Sequence, residues 1–386
     1  MKEKLVQRFM ELYGSSKEEI NLYFAPGRVN LIGEHIDYNG GFVFPCALDM
    51  GTYLVIRKRE DLKVKFATMN FDYRTEIDLS EEIQYSKKDG WANYPKGIIK
   101  EFLDRKIEGI GLDLLYYGNI PNGSGLSSSA SLEVVTAFAV NEQYHGALNL
   151  IDLVKLSQKT EVEFIGVNCG IMDQFAVAFG QKDKAILLDC NTLEYEYAPL
   201  VLDNHKIVIC NTNKKRGLGD SKYNERTKEC AYALQRLQKE MDIKHLCEVS
   251  LEEFELNKEL IDQEIPLKRA IHAVKENDRV LRAVAALKEN DIEAFGKLIT
   301  QSHESLRDLY EVSCYELDVM VEEALKIEGT LGARMTGAGF GGCTVNIVRN
   351  DAVEEFVSKV ATAYADRTKL KPEIYIASAH DGVKKI

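Results

Sequence analysis

The chain has 386 residues, 45% of them hydrophobic and 28% charged, which is the balance of a folded globular protein, and its length exceeds what one core usually supports, so two domains are expected. Asp and Glu outnumber Lys and Arg by 61 to 49, a formal charge of -12 that argues against sequence-independent binding to nucleic acid or anionic membrane, so any anionic ligand has to be held locally. The opening MKEKLVQRFMELYG lacks the apolar core and cleavage site of a signal peptide, no window has the apolar length of a membrane span, and the eight scattered cysteines show neither a CxxC pair nor zinc spacing, all of which point to a cytoplasmic protein with buried thiols.

The first segment reads as an amphipathic helix. NLYFAPGRVNLIGEHIDYNGGFVFPCAL then mixes short apolar runs with turn-forming Pro26, Gly27, Gly33, Asn39, Gly40 and Gly41, which predicts strands joined by tight turns. TYLVIRKREDLKVKFATMN and TEIDLS add strands, WANYPKGIIKEFLDRK a helix, and GLDLLYYGNI a strand. SLEVVTAFAVNEQYH and DLVKLSQKTEVEFIG have apolar residues at helical spacing, and the long stretch from Lys222 to about Glu328 is mostly helical. The end reads loop, strand, helix, strand across ARMTGAGFGGCTVNIV, VEEFVSKVATAYADRT and EIYIASA. A composition shift near residues 190 to 205 divides the chain, with units expected at 1–195 and 196–386.

PNGSGLSSSASLEV, residues 121 to 134, sits between a predicted strand and a predicted helix. At such a junction glycines let the backbone approach an anion and the first helical amides meet it. The same serines could instead only cap the helix. The GxxxxGK[ST] spacing is absent, as are the HRD and DFG motifs of protein kinases, so any phosphoryl transfer uses another scaffold. Gly337-Ala338-Gly339-Phe340-Gly341-Gly342 matches GxGxxG formally, but a β-branched run follows it rather than a helix, which refuses a dinucleotide fingerprint.

GRVNLIGEHIDYNGG concentrates Arg28, Glu34, His35, Asp37 and Asn39 between apolar strands, a set of hydrogen-bonding groups suited to a polyhydroxylated ligand; a solvated charged loop is the alternative. Asp173 is one acid amid Ile, Met, Phe, Ala and Val, and so reads either as a general base or as the N-cap of the helix that follows. Glu161 and Tyr223 are ordinary when read alone, and Trp91 is either a core anchor or a wall for a nucleotide base.

Together these segments resemble galactokinase, within the GHMP superfamily of small-molecule kinases. APGRVNLIGEHIDYNGG is similar to the galactokinase signature, PNGSGLSSSASLEV to the superfamily's phosphate loop and TGAGFGGCTV to its third motif, and the likeness spans nearly the whole chain. The resemblance implies an α+β, two-domain GHMP kinase fold, with an N-terminal domain like ribosomal protein S5 domain 2, a ferredoxin-like C-terminal domain and the active site in the cleft between them. It implies transfer of phosphate from ATP to the C1 hydroxyl of α-D-galactose, the entry step of galactose catabolism. Carried over by position, Asp173 is the catalytic base and Arg28 its partner. Glu34, His35, Ile36, Asp37, Gly170 and Tyr223 fall at sugar-binding positions. Gly123, Ser124, Gly125, Leu126, Ser127, Ser128 and Ser129 fall at the phosphate loop, Trp91 beside the adenine, and Ser129 and Glu161 at the Mg2+ ligands. The family commonly has Thr where Ile36 stands, and relatives vary at Asn122 and Ser124. The expected partners are galactose and ATP, with no nucleic acid or membrane, and the protein a monomer or weak homo-oligomer. A kinase for N-acetylgalactosamine or arabinose is the nearest rival, and a galactose-sensing regulator without turnover a more distant one.

Overall fold

Alternation along the early strands decides which residues face inward. In the computed structural model of the chain, which describes residues 1–121, 123–200, 202, 204–214 and 219–386 with the side chains of 219–221 excepted, Leu54, Ile56, Phe66 and Leu114 point to one face of a sheet and Val55, Ala67 and Leu115 to the other. Asn122 lies outside the described residues. The strands run in the order Lys384–Lys385, Asn21–Asn30, Pro45–Lys58, Leu112–Gly118, Lys63–Thr68 and Arg74–Asp78, antiparallel apart from the parallel pair of Lys63–Thr68 with Leu112–Gly118. Helices Asn93–Asp104, Ser128–Gln143, Leu150–Lys159 and Met172–Phe179 cover the first face. The helix Lys2–Tyr13 covers the second, seating Leu5 and Phe9, one turn apart, on Val55, Ala67 and Leu115.

The second half builds a four-stranded antiparallel sheet in the order Thr330–Thr336, Cys343–Arg349, His205–Asn211 and Glu373–Ala377. Helices Tyr315–Leu325 and Val353–Thr368 bury Met320, Phe356 and Tyr364 against Val208 and Val348 on one face. On the other, helices Glu264–Lys288 and Ile292–Asp308 share with Val345 and Ile347 one core that continues into the first sheet as far as Tyr23. The glycine cluster joins two antiparallel strands, as the β-branched run after it requires.

The strand expected at FVF is present as Phe42–Val43, whereas two short strands were not legible in the sequence, Tyr195–Pro199 and Lys384–Lys385. Tyr195–Pro199 pairs with Lys184–Asp189, and Lys184–Asp189 with Phe42–Val43, so residue 195 opens the second arm of a hairpin. Lys384–Lys385 returns to the edge of the first sheet beside Tyr23 and Phe24.

Two features of this scaffold aim the turn that carries the acidic residues. The strand Asn21–Asn30 shifts register between Pro26 and Arg28, a bulge that turns the Arg28 side chain off the regular ladder. Glu276, fully buried in the helix Glu264–Lys288, accepts from the Gly33 amide at 3.0 Å and the Ser302 hydroxyl at 2.5 Å and pairs with Arg279. The neighbouring His272 reaches the Glu34 carbonyl at 3.1 Å. Glu276→Ala strands the Arg279 charge and the Gly33 amide inside the protein, and is expected to lower stability by roughly 3–5 kcal/mol. Urea unfolding of the purified variant measures this, and an unchanged midpoint would refute it.

Candidate active site

Arg28 and Asp173 are 145 residues apart and meet directly. Arg28 Nε and Nη2 both donate to Asp173 Oδ1, at 2.8 and 2.6 Å, and Nη1 donates to the Gly125 carbonyl at 2.8 Å. The Ser127 hydroxyl donates to the other carboxylate oxygen, Oδ2, at 2.6 Å. Asp173 lies in the first turn of the helix Met172–Phe179, whose N-cap is Ile171 without a side-chain bond. The carboxylate is therefore turned away from its own helix and is not a cap.

The serine stretch resolves in the same direction. Ser127, at φ 60° and ψ 49°, immediately precedes the helix Ser128–Gln143 and makes no capping bond to it, because its hydroxyl is committed to Asp173. Among the described residues the first amides of this sixteen-residue helix have no capping side chain, and that end of the helix favours negative charge. Gly123 and Gly125 have φ of 70° and 76°, left-handed values that fold the loop tightly ahead of the helix. Arg28 donates its backbone amide to the Leu126 carbonyl at 3.2 Å, and a Cβ on Gly27 would come within 2.7 Å of that oxygen, so loop and bulge are fitted to each other. Ser124 and Leu126 are buried beneath the loop, whereas Gly123 and Ser128 are exposed.

Beside this junction opens a cavity of about 270 Å3 lined by Arg28, Glu34, His35, Asp37, Gly170 and Asp173, with Glu161 and Tyr223 also on its wall. Glu34 Oε1 accepts from Arg334 at 2.6 Å, Thr336 Oγ1 at 2.9 Å and the Gly337 amide at 2.6 Å. Among the described residues Asp37 has no side-chain donor, only the backbone amides of Tyr38 and of Asp37 itself. Its burial, followed by the charges of Asp173 and Glu34, pushes its carboxyl up to about 7. A Cβ on Gly170 would stand 1.7 Å from Asp37 Oδ2, so only glycine leaves that carboxylate where it is.

His35 contributes differently from what its residue type suggests. Its Nε2 faces the Ala338 carbonyl at 3.2 Å and therefore carries the proton, while Nδ1 accepts from the Tyr38 hydroxyl at 2.9 Å. Burial, with His272 adding to it, holds the ring down to about 3, so it is neutral at physiological pH and both its nitrogens are engaged by the protein. Tyr223 packs 5.7 Å from the His35 ring and 5.1 Å from that of Tyr38, making an aromatic wall.

Glu161 is carried by a π-helical turn, Thr160–Ile165, that follows the helix Leu150–Lys159. It is buried, hydrogen-bonded by Ser129 and, at 2.7 Å, by the Gln174 amide, and its burial with the Asp173 charge pushes it up to about 7. Oxygen donors from a hydroxyl and a carboxylate that no cationic side chain among the described residues neutralises fit a hard divalent cation. No group of three or more potential metal-ligating His, Cys, Asp or Glu side chains forms among the described residues.

The loop Gly123 to Ser129 lies beside the cavity rather than on its wall, and Ile36 and Trp91 do not line it either. Ile36 is fully buried against Gly41, and it is its backbone carbonyl that closes the turn, accepting from the Asn39 and Gly41 amides at 3.1 and 2.8 Å. Trp91 lies in an aromatic group with Phe71, Tyr73 and Tyr116, its ring 5.3 Å from that of Tyr116 and its indole N–H buried without a partner among the described residues. Sequence reasoning passed over Arg334, Glu133 and Gln174. For Glu133 the signal was present, since SLEVVTAFAV isolates one acid among apolar residues just as the Asp173 segment does.

A sheet-and-helix pair of units, with a basic-acidic couple beneath an uncapped helix end, defines a GHMP-type small-molecule kinase. Models of the GHMP kinases N-terminal domain and C-terminal region match residues 93–181 and 283–366, and the galactokinase galactose-binding signature matches residues 7–58. The chain is 55% identical to the galactokinase of Fusobacterium nucleatum, with both chains covered in full, and 54% identical to that of Clostridium beijerinckii over 98% of this chain and 97% of the relative. The crystal structure of Lactococcus lactis galactokinase complexed with galactose superposes with a TM-score of 0.96 at 46% identity, covering 100% and 99% of the two chains. A mevalonate kinase at 22% identity and a TM-score of 0.67 shares the fold. The chain belongs to the galactokinase family, whose members are kinases that use ATP.

Asp37 gives this site a pH signature. Between its ordinary value of 3.8 and about 7 the folded protein keeps a proton that the unfolded chain has lost, so stability falls as pH rises through that window. Asp37→Asn removes the cost, and its melting temperature is expected to exceed the parent's by a margin that grows from pH 4 to pH 8; a margin independent of pH would contradict the assignment. Gly170→Ala is expected to weaken sugar binding at least tenfold, on the order of the losses caused by small displacements of substrate-holding groups, and calorimetric titration with the sugar checks it.

Proposed function

We propose that the chain transfers the γ-phosphoryl group of ATP to the C1 hydroxyl of α-D-galactose, giving galactose 1-phosphate and ADP. The observation that carries this reading is the Arg28–Asp173–Ser127 contact, which puts an arginine-paired carboxylate on the wall of an acid-rich cavity, directly below the first amides of the helix Ser128–Gln143. Glu34, Asp37 and Asp173 accept from sugar hydroxyls, with Gly170 leaving room for Asp37 and Tyr223 and His35 shaping the wall. Phosphate oxygens lie on the amides of Gly123 to Ser129, where backbone donors need no reorganisation as charge develops.

Asp173 takes the proton from the C1 hydroxyl as its oxygen attacks phosphorus. Arg28 keeps the carboxylate ionised beforehand and offsets negative charge as the phosphoryl group transfers, while the Ser127 hydroxyl is free to turn once Asp173 is protonated. Ser129 and Glu161 would hold Mg2+, whose chemistry is to neutralise phosphate charge. Trp91, with Phe71, offers a flat surface for adenine. In this reading the enzyme is cytoplasmic, a monomer or weak homo-oligomer, and divides into two units, the break moving from residue 195 to just beyond Pro199 so that the hairpin of Lys184–Asp189 with Tyr195–Pro199 stays in the first.

Asp173→Asn is expected to lower kcat by about 10²–10⁴-fold, the range of a lost general base, with melting temperature and ATP binding near the parent's. Near-normal turnover would remove it from that role. A coupled ADP-release assay over galactose, N-acetylgalactosamine, glucose and arabinose tests the substrate, with galactose expected to have the highest kcat/KM; a better rival would redirect the assignment.

A further inference from the structure

Gln174 is fully buried, and its side-chain amide donates to two carboxyl groups, Glu161 Oε2 at 2.7 Å and Glu133 Oε2 at 3.1 Å. Glu133 sits one turn beyond Ser129 on the same stripe of the helix Ser128–Gln143, so the serine and the acid both face the turn that carries Glu161. Glu133 and Glu161 form no ion pair among the described residues. Among the described residues Glu133 Oε1 and Gln174 Oε1 are buried without partners, and burial together with the Glu161 charge holds the Glu133 carboxyl well above its usual range, as an acid inside a protein without a counter-charge demands.

An amide that gives one N–H to each of two acids admits little rotation, because turning either carboxyl group breaks a buried bond. Glu161 Oε2 is held by this amide and, at 3.7 Å, by the Cys169 thiol, which leaves Oε1 the oxygen clear of both. We infer that Gln174, anchored on Glu133, is a positioning residue that fixes the carboxylate of Glu161 for the divalent cation accompanying the nucleotide. The inference rests on the reading of Ser129 and Glu161 as the residues that hold that cation.

The test is the factor by which Mg2+ tightens ADP binding, measured by calorimetry on the whole protein with and without the metal. Gln174→Met keeps the shape and removes both donors, and is expected to cut that factor by about tenfold, the lower range for residues supporting a metal ligand. Metal-free ADP affinity and galactose affinity should stay within about twofold, a split that a merely structural role would not produce. Glu133→Leu should act as Gln174→Met does, whereas Glu133→Gln retains an acceptor for the amide and should keep most of the factor. Should Gln174→Met fail to fold in a thermal melt, the two Glu133 variants decide the matter alone. Glu161→Gln, measured in parallel, separates the two levels. If it loses the factor while Gln174→Met and Glu133→Leu keep it, the positioning role is overturned and the cation reading stands; if it too keeps the factor, the cation reading fails and takes the positioning role with it.

Discussion

The site depends on one guanidinium. Arg28 is almost wholly buried, and burying a cation is costly unless its donors are used; here three nitrogens are bonded, two to Asp173 and one to the Gly125 carbonyl. Because a guanidinium is planar and its donors diverge at fixed angles, those bonds set three elements relative to one another: the bulged strand, the loop before the helix Ser128–Gln143, and the first turn of the helix Met172–Phe179. The bulge at Pro26 and Gly27 makes the fit possible by turning Arg28 inward and letting the Leu126 carbonyl approach. A lysine would offer one point of charge where three directions are needed.

Around that contact the protein gathers acids, although its overall charge is already negative. Each is held differently. Glu34 has a buried arginine and two further donors on one oxygen, Asp173 has Arg28 and Ser127, and Glu161 has the neutral amide of Gln174. Among the described residues Asp37 has no donor from a neighbouring side chain, and its raised titration records the work of keeping a carboxylate there. Such unmatched charge lowers the stability of the empty protein and is a common signature of a surface prepared for a ligand.

Much of the secondary structure was legible because period two and period 3.6 are properties of local sequence. The helix Lys2–Tyr13 and the strand Leu112–Gly118 follow from the spacing of their apolar residues alone. A short strand such as Lys384–Lys385 is too brief to carry a period and exists only because an edge of a sheet is available to it. Of the site, the residues within GRVNLIGEHIDYNGG and the isolated Asp173 could be picked out, and the family resemblance assigned them roles. Arg334, which holds Glu34, could not, since nothing within ARMTGAG indicates that its side chain crosses to a turn 300 residues earlier.

By itself the sequence determined the elements, the family and the residue types available for chemistry, because these rest on local periodicity and on motifs contiguous in the chain. Whether the serines cap a helix or leave its amides open, whether Asp173 is a cap or faces a cavity, and whether the His35 nitrogens are available were decided only in three dimensions. Each turns on where one hydroxyl, one carboxylate or one ring finds its partner, and those partners, Asp173 for Ser127, Arg28 for Asp173 and Ala338 for His35, are brought together by folding across 46, 145 and 303 residues.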